Sequence, residues 1–438
     1  MANEYRVIRE TVQLSKIDGD LNVERGVVDA SDSGLVVIGV IRCEGDCEFT
    51  GNVEAQSIIS RKGDVQIVGS VKADSIEIKN GSLRVKDSII ADRIRVNKRL
   101  EFGESMSADT VRVGGTLNAL GDCKASRINV GGTFRADRRV DVDHIDVGGS
   151  LTTEGETTSR IIDVGGTFKA NGPLTVEEID VGGTFKAEVP VQLVSVKVGG
   201  TVSLVGGKVE KIIDVGGTLK VEEHLEFGDI DVGGTVRLRK GGSGGTIDVG
   251  GTLKIQGDID FKKIDVGGTV KIDGTAKGES LSVGGSLKTF GDFSVSDRLK
   301  VGGKIEVDGN LKAQNIRVGG SIRAHKVEAE QFIETSNLRT RHGAKATRIE
   351  IDRKGHVEGP LIGEIIILKD RVDAEDIYGD RVQIRSRCKV GDVYANRVQM
   401  DSRSTAKSVT YTDEFKVDNR ANVINASQKS EKLPEPPL

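Results

Sequence analysis

Carboxylates, cations and hydroxyls recur along this chain at every seventeenth position, and such columns are the first features that could do chemistry. Asp146, Asp163 and Asp180, then Asp214, Asp231, Asp248 and Asp265, form one series. If the segments carrying them stack, the carboxylates repel one another and could hold cations. The series is interrupted at Lys197 and Ser282, where a cation site would be lost. It also lacks the nonapeptide pattern of calcium-binding β-rolls. The simpler reading is a solvated face, with some Asp oxygens accepting from turn amides. A second series is basic: Arg135, Lys169, Lys186, Lys220, Arg237, Lys254, Lys271 and Lys288. It could track a polyanion. It has no interleaved aromatics for base stacking, so a face balanced by neighbouring acids is the simpler reading. A third series runs from Thr116 through Thr133, Thr167, Thr184, Thr201, Thr218, Thr235 and Thr252 to Thr269. β-Branched residues suit a strand surface, so this series reads as structural.

Nucleophiles and metal ligands are sparse. The five His residues are His144, His224, His325, His342 and His356, and their spacing does not bring them to one face. Cys43 and Cys47 are separated by three residues and have no matching second pair, while Cys123 and Cys388 stand alone. Zinc ligation needs a fuller set, and no disulfide framework is legible. No catalytic residue, metal site or cofactor site is assigned, and the chain reads as a non-enzyme.

The elements that position these columns follow from the repeat. At a recurring register Val-Gly-Gly begins at Val113, Val130, Val147, Val164, Val181, Val198, Val215, Val232, Val249, Val266, Val283, Val301 and Val318. Eleven of those twelve steps equal the step from Val113 to Val130, and the step from Val283 to Val301 is one position longer. The fuller unit, Ile162 to Ala170 or Ile179 to Ala187, alternates apolar and polar on both sides of the glycines, which is strand periodicity. A third short strand, such as Leu174-Thr175-Val176, completes the unit. The aliphatic residue two before the Val extends the repeat from Ile58, Ile76 and Ile94 to Ile316, then through Phe332, Ile349, Ile365, Val382 and Val398 to Phe415. No window carries a sustained helical apolar period.

The fold class predicted is therefore all-β: a three-sided right-handed parallel β-helix of about 22–24 coils, each about 16–18 residues long. A coil of seventeen does not divide into the hexads of left-handed β-helices. The Gly-Gly corners are expected to need positive φ, which glycine adopts without steric cost. At strand spacing the stack is on the order of 110 Å long. Residues 1–16 read as a leader, 17–425 as a single rod most regular over 111–320, and 426–438 as a disordered tail.

Composition agrees. Aromatics are 3%, Trp is absent and charged residues are 30%, which suits a thin core with much surface. A net charge of −4 argues against a dedicated nucleic-acid binder, and none is expected as a partner. The first ten residues carry charge throughout and hold no apolar signal segment, and no apolar run is long enough to span a bilayer. A cytoplasmic location is expected, without a transmembrane segment.

Short Gly-x-aliphatic and Ala-x-x-aliphatic-x-aliphatic segments, as in Gly69-Ser70-Val71-Lys72-Ala73-Asp74-Ser75-Ile76-Glu77-Ile78, recur at steps of seventeen or eighteen positions, and the tail contains Pro. In these features the chain resembles the bactofilins, polymer-forming cytoskeletal proteins, over roughly residues 17–425. The resemblance implies nucleotide-independent, end-to-end filaments that scaffold cell shape or recruit cytoskeletal or membrane-associated partners. The family usually has about six coils between disordered tails, and this chain has some four times as many.

A β-helix ends in unpaired strand edges and an open core, which must be capped or paired. The end surfaces expected to meet other copies are Leu21, Val23, Val36 and Ile38 on one side, and Phe415, Val417, Val423 and Ile424 on the other. The alternatives are a monomeric spacer or docking scaffold, a polysaccharide-active β-helix enzyme, and an accessory subunit of a redox complex. The absence of aromatic platforms and long loops argues against the enzyme.

Overall fold

The computed structural model describes residues 4–30 and 33–437. Its described residues form 49 strands and no helix, stacked in parallel as a β-solenoid of about 25 turns. The chain divides into two compact units, Met1–Lys220 and Val221–Leu438.

In the first unit, one coil explains the rest. Along Leu174–Val181, Leu174 and Val176 face inward, Glu177 and Glu178 both face outward, and Ile179 and Val181 face inward again. Two successive outward residues make a corner, after which strand alternation resumes on a new side. Thr184–Ala187 supplies the third side, with Phe185 and Ala187 inward. Each coil thus places six apolar side chains on its axis. The next coil repeats the pairing in register, Leu174 on Val191 and Ile179 on Val196. Identical positions stack into columns such as Phe134, Leu151, Phe168, Phe185 and Val202. The rings of Phe168 and Phe185 lie 5.1 Å apart. Burying each such side chain contributes about 1.5–3 kcal/mol, which is what holds so thin a core together.

The Gly-Gly corners have a different cause from the one expected. None of the glycines in the thirteen in-register Val-Gly-Gly units lies in the left-handed region; the positive-φ glycines, such as Gly45, Gly63 and the off-register Gly207, lie outside that repeat. Glycine is required here by the approach of one coil to the next. A Cβ on Gly165 would sit 2.5 Å from the carbonyl oxygen of Gly148, and one on Gly166 would sit 2.5 Å from that of Gly149. The corner amides use this closeness. Gly165 N–H donates to the Val147 carbonyl at 2.9 Å and Gly166 N–H to the Gly149 carbonyl at 3.0 Å.

The first unit also begins earlier than the sequence reading placed it. Residues 1–16 read as a leader, yet Glu4–Ile8 pairs with Asp20–Glu24 and Thr11–Leu14 pairs with Val27–Ala30. They form a coil one position shorter than the central repeat, too weakly apolar to stand out beside the charges around it.

In the second unit the same coil recurs, for instance Ile259–Val266 followed by Thr269–Asp273. Two assignments of its inner column are corrected. Ile333, not Phe332, stacks between Ile316 and Ile349. Phe332 faces outward beneath the guanidinium of Arg317, 5.7 Å from its ring. Ile366, not Ile365, continues to Val382 and Val398. A register shift between Glu328 and Phe332 moves the phase at the first place. At the second, Ile365-Ile366-Ile367 offers no alternation to read. The last coil continues past the expected boundary, because Ser427–Lys429 pairs with Val409–Tyr411. Leu433, Pro434 and Pro436 then share the walls of a half-open cavity of about 790 Å³ with the stacked rings of Tyr378 and Tyr394.

Candidate functional site: the terminal coils

The inner columns are sealed along each unit, and where the coils run out most of them open, although Val7 on the first coil stays buried. At the N-terminal coil, Tyr5 stacks on Leu21 and Val7 on Val23. Leu21 and Val23 are fully buried, whereas Tyr5 is 41% exposed. Val12 and Leu14 are half-buried where the residues beneath them, Val28 and Ala30, are buried. Among the described residues no strand pairs with the outer edge of Glu4–Ile8.

This corrects the expected N-terminal surface at all four of its residues. Leu21 and Val23 are core residues covered by Glu4–Ile8, not an end. Val36 and Ile38 are exposed, but they point sideways from the outward face of Leu35–Glu44. The edge consists instead of Tyr5, Val12, Leu14 and Ile17. A signal for it was present: Tyr5, Val7, Val12 and Leu14 each precede one of Leu21, Val23, Val28 and Ala30 by the same sixteen-position step.

At the C-terminal coil the four expected residues gather on the last turn. Phe415 stacks on Val398 and Val417 on Met400. Val398 and Met400 are buried, Phe415 is half-buried and Val417 is 48% exposed. Asn422–Val423 covers Thr405–Ala406, and Ser427–Lys429 covers Val409–Tyr411. Between these partial covers no described strand overlies Glu414–Val417. The Phe415 ring leans on Tyr411 at 5.6 Å, and Ile424, whose N–H donates to the Ala406 carbonyl at 2.9 Å, is 64% exposed. The C-terminal end is therefore an apolar edge half roofed by its own chain.

The outward columns are built as the spacing suggested. Asp146, Asp163 and Asp180 stand on successive coils. Burial first, then the carboxylates of Asp146 and Asp180, pushes the Asp163 carboxyl above its ordinary value. Asn129 Nδ2 donates to Asp146 at 2.7 Å, which satisfies one end of the series. The described residues hold no group of three or more ligands arranged for a metal ion. The basic column is interleaved with acids: Lys186 meets Glu188 at 2.6 Å, Arg135 meets Asp137 at 2.8 Å, and Lys288 meets Glu306 at 3.4 Å. The ammonium groups of Lys271 and Lys288 both lie 5.0 Å from the Phe290 ring.

All four cysteines are buried core residues. Hydrogen bonding with Cys47, followed by burial, pushes the Cys43 thiol well up, and burial does the same to Cys123. Thiols held this way are poor nucleophiles. His356 lies 3.3 Å from Glu358 and 3.9 Å from Asp373, on an exposed strand face. No described helix is long and apolar enough to cross a membrane. The chain matches no protein-family model, no curated protein and no solved structure.

Proposed function

We propose that this chain is a non-enzymatic structural protein whose terminal coils pair with those of other copies, building nucleotide-independent scaffold filaments like those of the bactofilins it resembles. One observation carries the reading. Columns that are fully buried one coil in, such as Leu21 and Met400, surface at the last coil as Tyr5 and Val417. Apolar edges with unpaired backbone groups are templates for another strand. A second copy supplies that strand at either end, and pairing through edges that do not close a ring extends without limit. The tight coils, with their balanced outward columns, would serve as length between the two edges.

Negative-stain electron microscopy of the purified chain, with sedimentation velocity over a concentration series, tests this. Filaments whose length grows with concentration are expected. A monodisperse single-chain particle at all concentrations would favour the monomeric docking scaffold instead.

A further inference from the structure

In the second unit, one corner of the last five coils is built from cations. The turns are Arg353-Lys354, Asp370-Arg371, Ser386-Arg387, Ser402-Arg403 and Asn419-Arg420. Lys354, Arg371, Arg387 and Arg403 all have left-handed backbone, with φ of 61°, 65°, 62° and 60°. That conformation favours glycine, because a Cβ there crowds the following carbonyl oxygen. In the first unit the corresponding corner carries Arg9 and Arg25 on the first two coils and then glycine, Gly45 and Gly63. Here the chain keeps Lys and Arg at the strained position four times in succession.

The turns form a rigid stack. Lys354 N–H donates to the Asp370 carbonyl at 2.9 Å, Arg371 N–H to Ser386 at 3.0 Å, Arg387 N–H to Ser402 at 3.2 Å and Arg403 N–H to Arg420 at 3.0 Å. Their side chains line a half-open cavity of about 530 Å³ that holds six cations and a single carboxylate, Asp370. Asp370 is taken by Arg353 at 3.7 Å, and Arg420 pairs with Asp418 at 3.5 Å. Lys354, Arg371, Arg387 and Arg403 pair with no carboxylate among the described residues. Acids that flank the turns in sequence are engaged elsewhere, Asp352 with Lys369 at 2.7 Å and Asp401 with Arg385 at 3.4 Å. A chain of net charge −4 thus concentrates unneutralised positive charge in one groove.

From this we infer that the groove binds a linear chain of phosphates. Five of its six cations are arginines, whose planar fork matches phosphate oxygens. They recur at about 4.8 Å along the stack, so a ligand must carry several charges in a row to satisfy them. The wall has no aromatic ring on which a base could stack. It also has no apolar patch of the kind that centres a protein interface. The serines Ser386 and Ser402, 3.4 Å apart, add hydroxyl donors between the guanidiniums.

The test is calorimetric titration of the full chain with short-chain inorganic polyphosphate over a salt series. Binding is expected to weaken with salt at a log–log slope of about −3.5, as for roughly five phosphates neutralised. Orthophosphate at equal phosphate concentration should not bind measurably. The double substitution Arg387→Gly and Arg403→Gly removes two charges and suits the left-handed turns, so the melting temperature should not fall. It should weaken binding by at least roughly tenfold and flatten the slope by about 1.4. Arg387→Lys with Arg403→Lys should keep the slope and lose affinity several-fold. The paired control Lys169→Gln and Lys186→Gln should change neither. No binding by the native chain, or an equal loss in the control, would overturn the assignment. Equally tight binding of an oligothymidylate of matched charge would overturn the choice of a bare phosphate chain.

Discussion

At the scale of single residues, stacking decides which side chains are comfortable. Thr153 takes the inward place held by Ala136 and Ala170 on adjacent coils, and its buried hydroxyl has no hydrogen-bond partner. An unpaired buried hydroxyl costs about 1–3 kcal/mol. Thr153→Val, close to it in shape, should raise stability by about 1 kcal/mol, read as a shift in denaturant midpoint at unchanged slope. Asp163 bears the opposite kind of strain. Its raised carboxyl means that protonation favours the fold: that stability is fully present below the ordinary value of 3.8 and is lost as pH rises through the higher folded value. At neutral pH the charge is therefore unfavourable. Because Asp163 stands on the exposed face, water screens most of this cost, and Asp163→Asn should stabilise the protein at pH 7 by at most a few tenths of a kcal/mol, an advantage that should vanish as melting is repeated toward pH 4. A native chain that instead gains nothing from the substitution at any pH would show the three carboxylates to be fully screened.

At the scale of the coil, the corner is the sensitive point. Gly165→Ala would press a methyl group against the Gly148 carbonyl, 2.5 Å away, and against the hydrogen bond that closes the same corner. A loss of about 1–3 kcal/mol is expected from thermal or denaturant unfolding. The same substitution would be mild if positive φ were the only demand on these glycines, since their backbone is not left-handed. Much of the coil was legible in sequence. The constant interval between Val-Gly-Gly units set the register of the centre, and alternation on each side marked the inward residues such as Ile179, Val181 and Phe185. What remained hidden has physical reasons. Two outward residues at a corner shift the strand phase by one, so an inner column cannot be followed through Phe332-Ile333 or Ile365-Ile366-Ile367 by hydropathy alone. The closeness of stacked corners is a tertiary property, and glycine looks the same in sequence whether it is needed for φ or for space. The first coil escaped notice because Arg6, Arg9 and Glu10 obscure the alternation of Tyr5, Val7, Val12 and Leu14. The cationic corner escaped because Lys354, Arg371, Arg387, Arg403 and Arg420 recur at an uneven step with changing neighbours.

At the scale of the whole molecule, the question is what covers the last coil at each end. The C-terminal surface contains the residues chosen from sequence, whereas the N-terminal surface had to move from Leu21 and Val23 to the coil that covers them. Val36 and Ile38, exposed but lateral, now provide a control that differs from the edge in place and not in chemistry. Phe415→Arg puts a charge on the unpaired edge over Val398, and Ile38→Arg puts the same charge on a side wall. Each substituted residue is at least partly exposed, so both variants should melt close to the native chain. Sedimentation velocity with electron microscopy on the native chain and these two variants, at one concentration, is the most direct test. End-to-end pairing predicts filaments for the native chain and for Ile38→Arg, and single particles for Phe415→Arg. Filaments that survive Phe415→Arg, or that are abolished by Ile38→Arg alone, would contradict it.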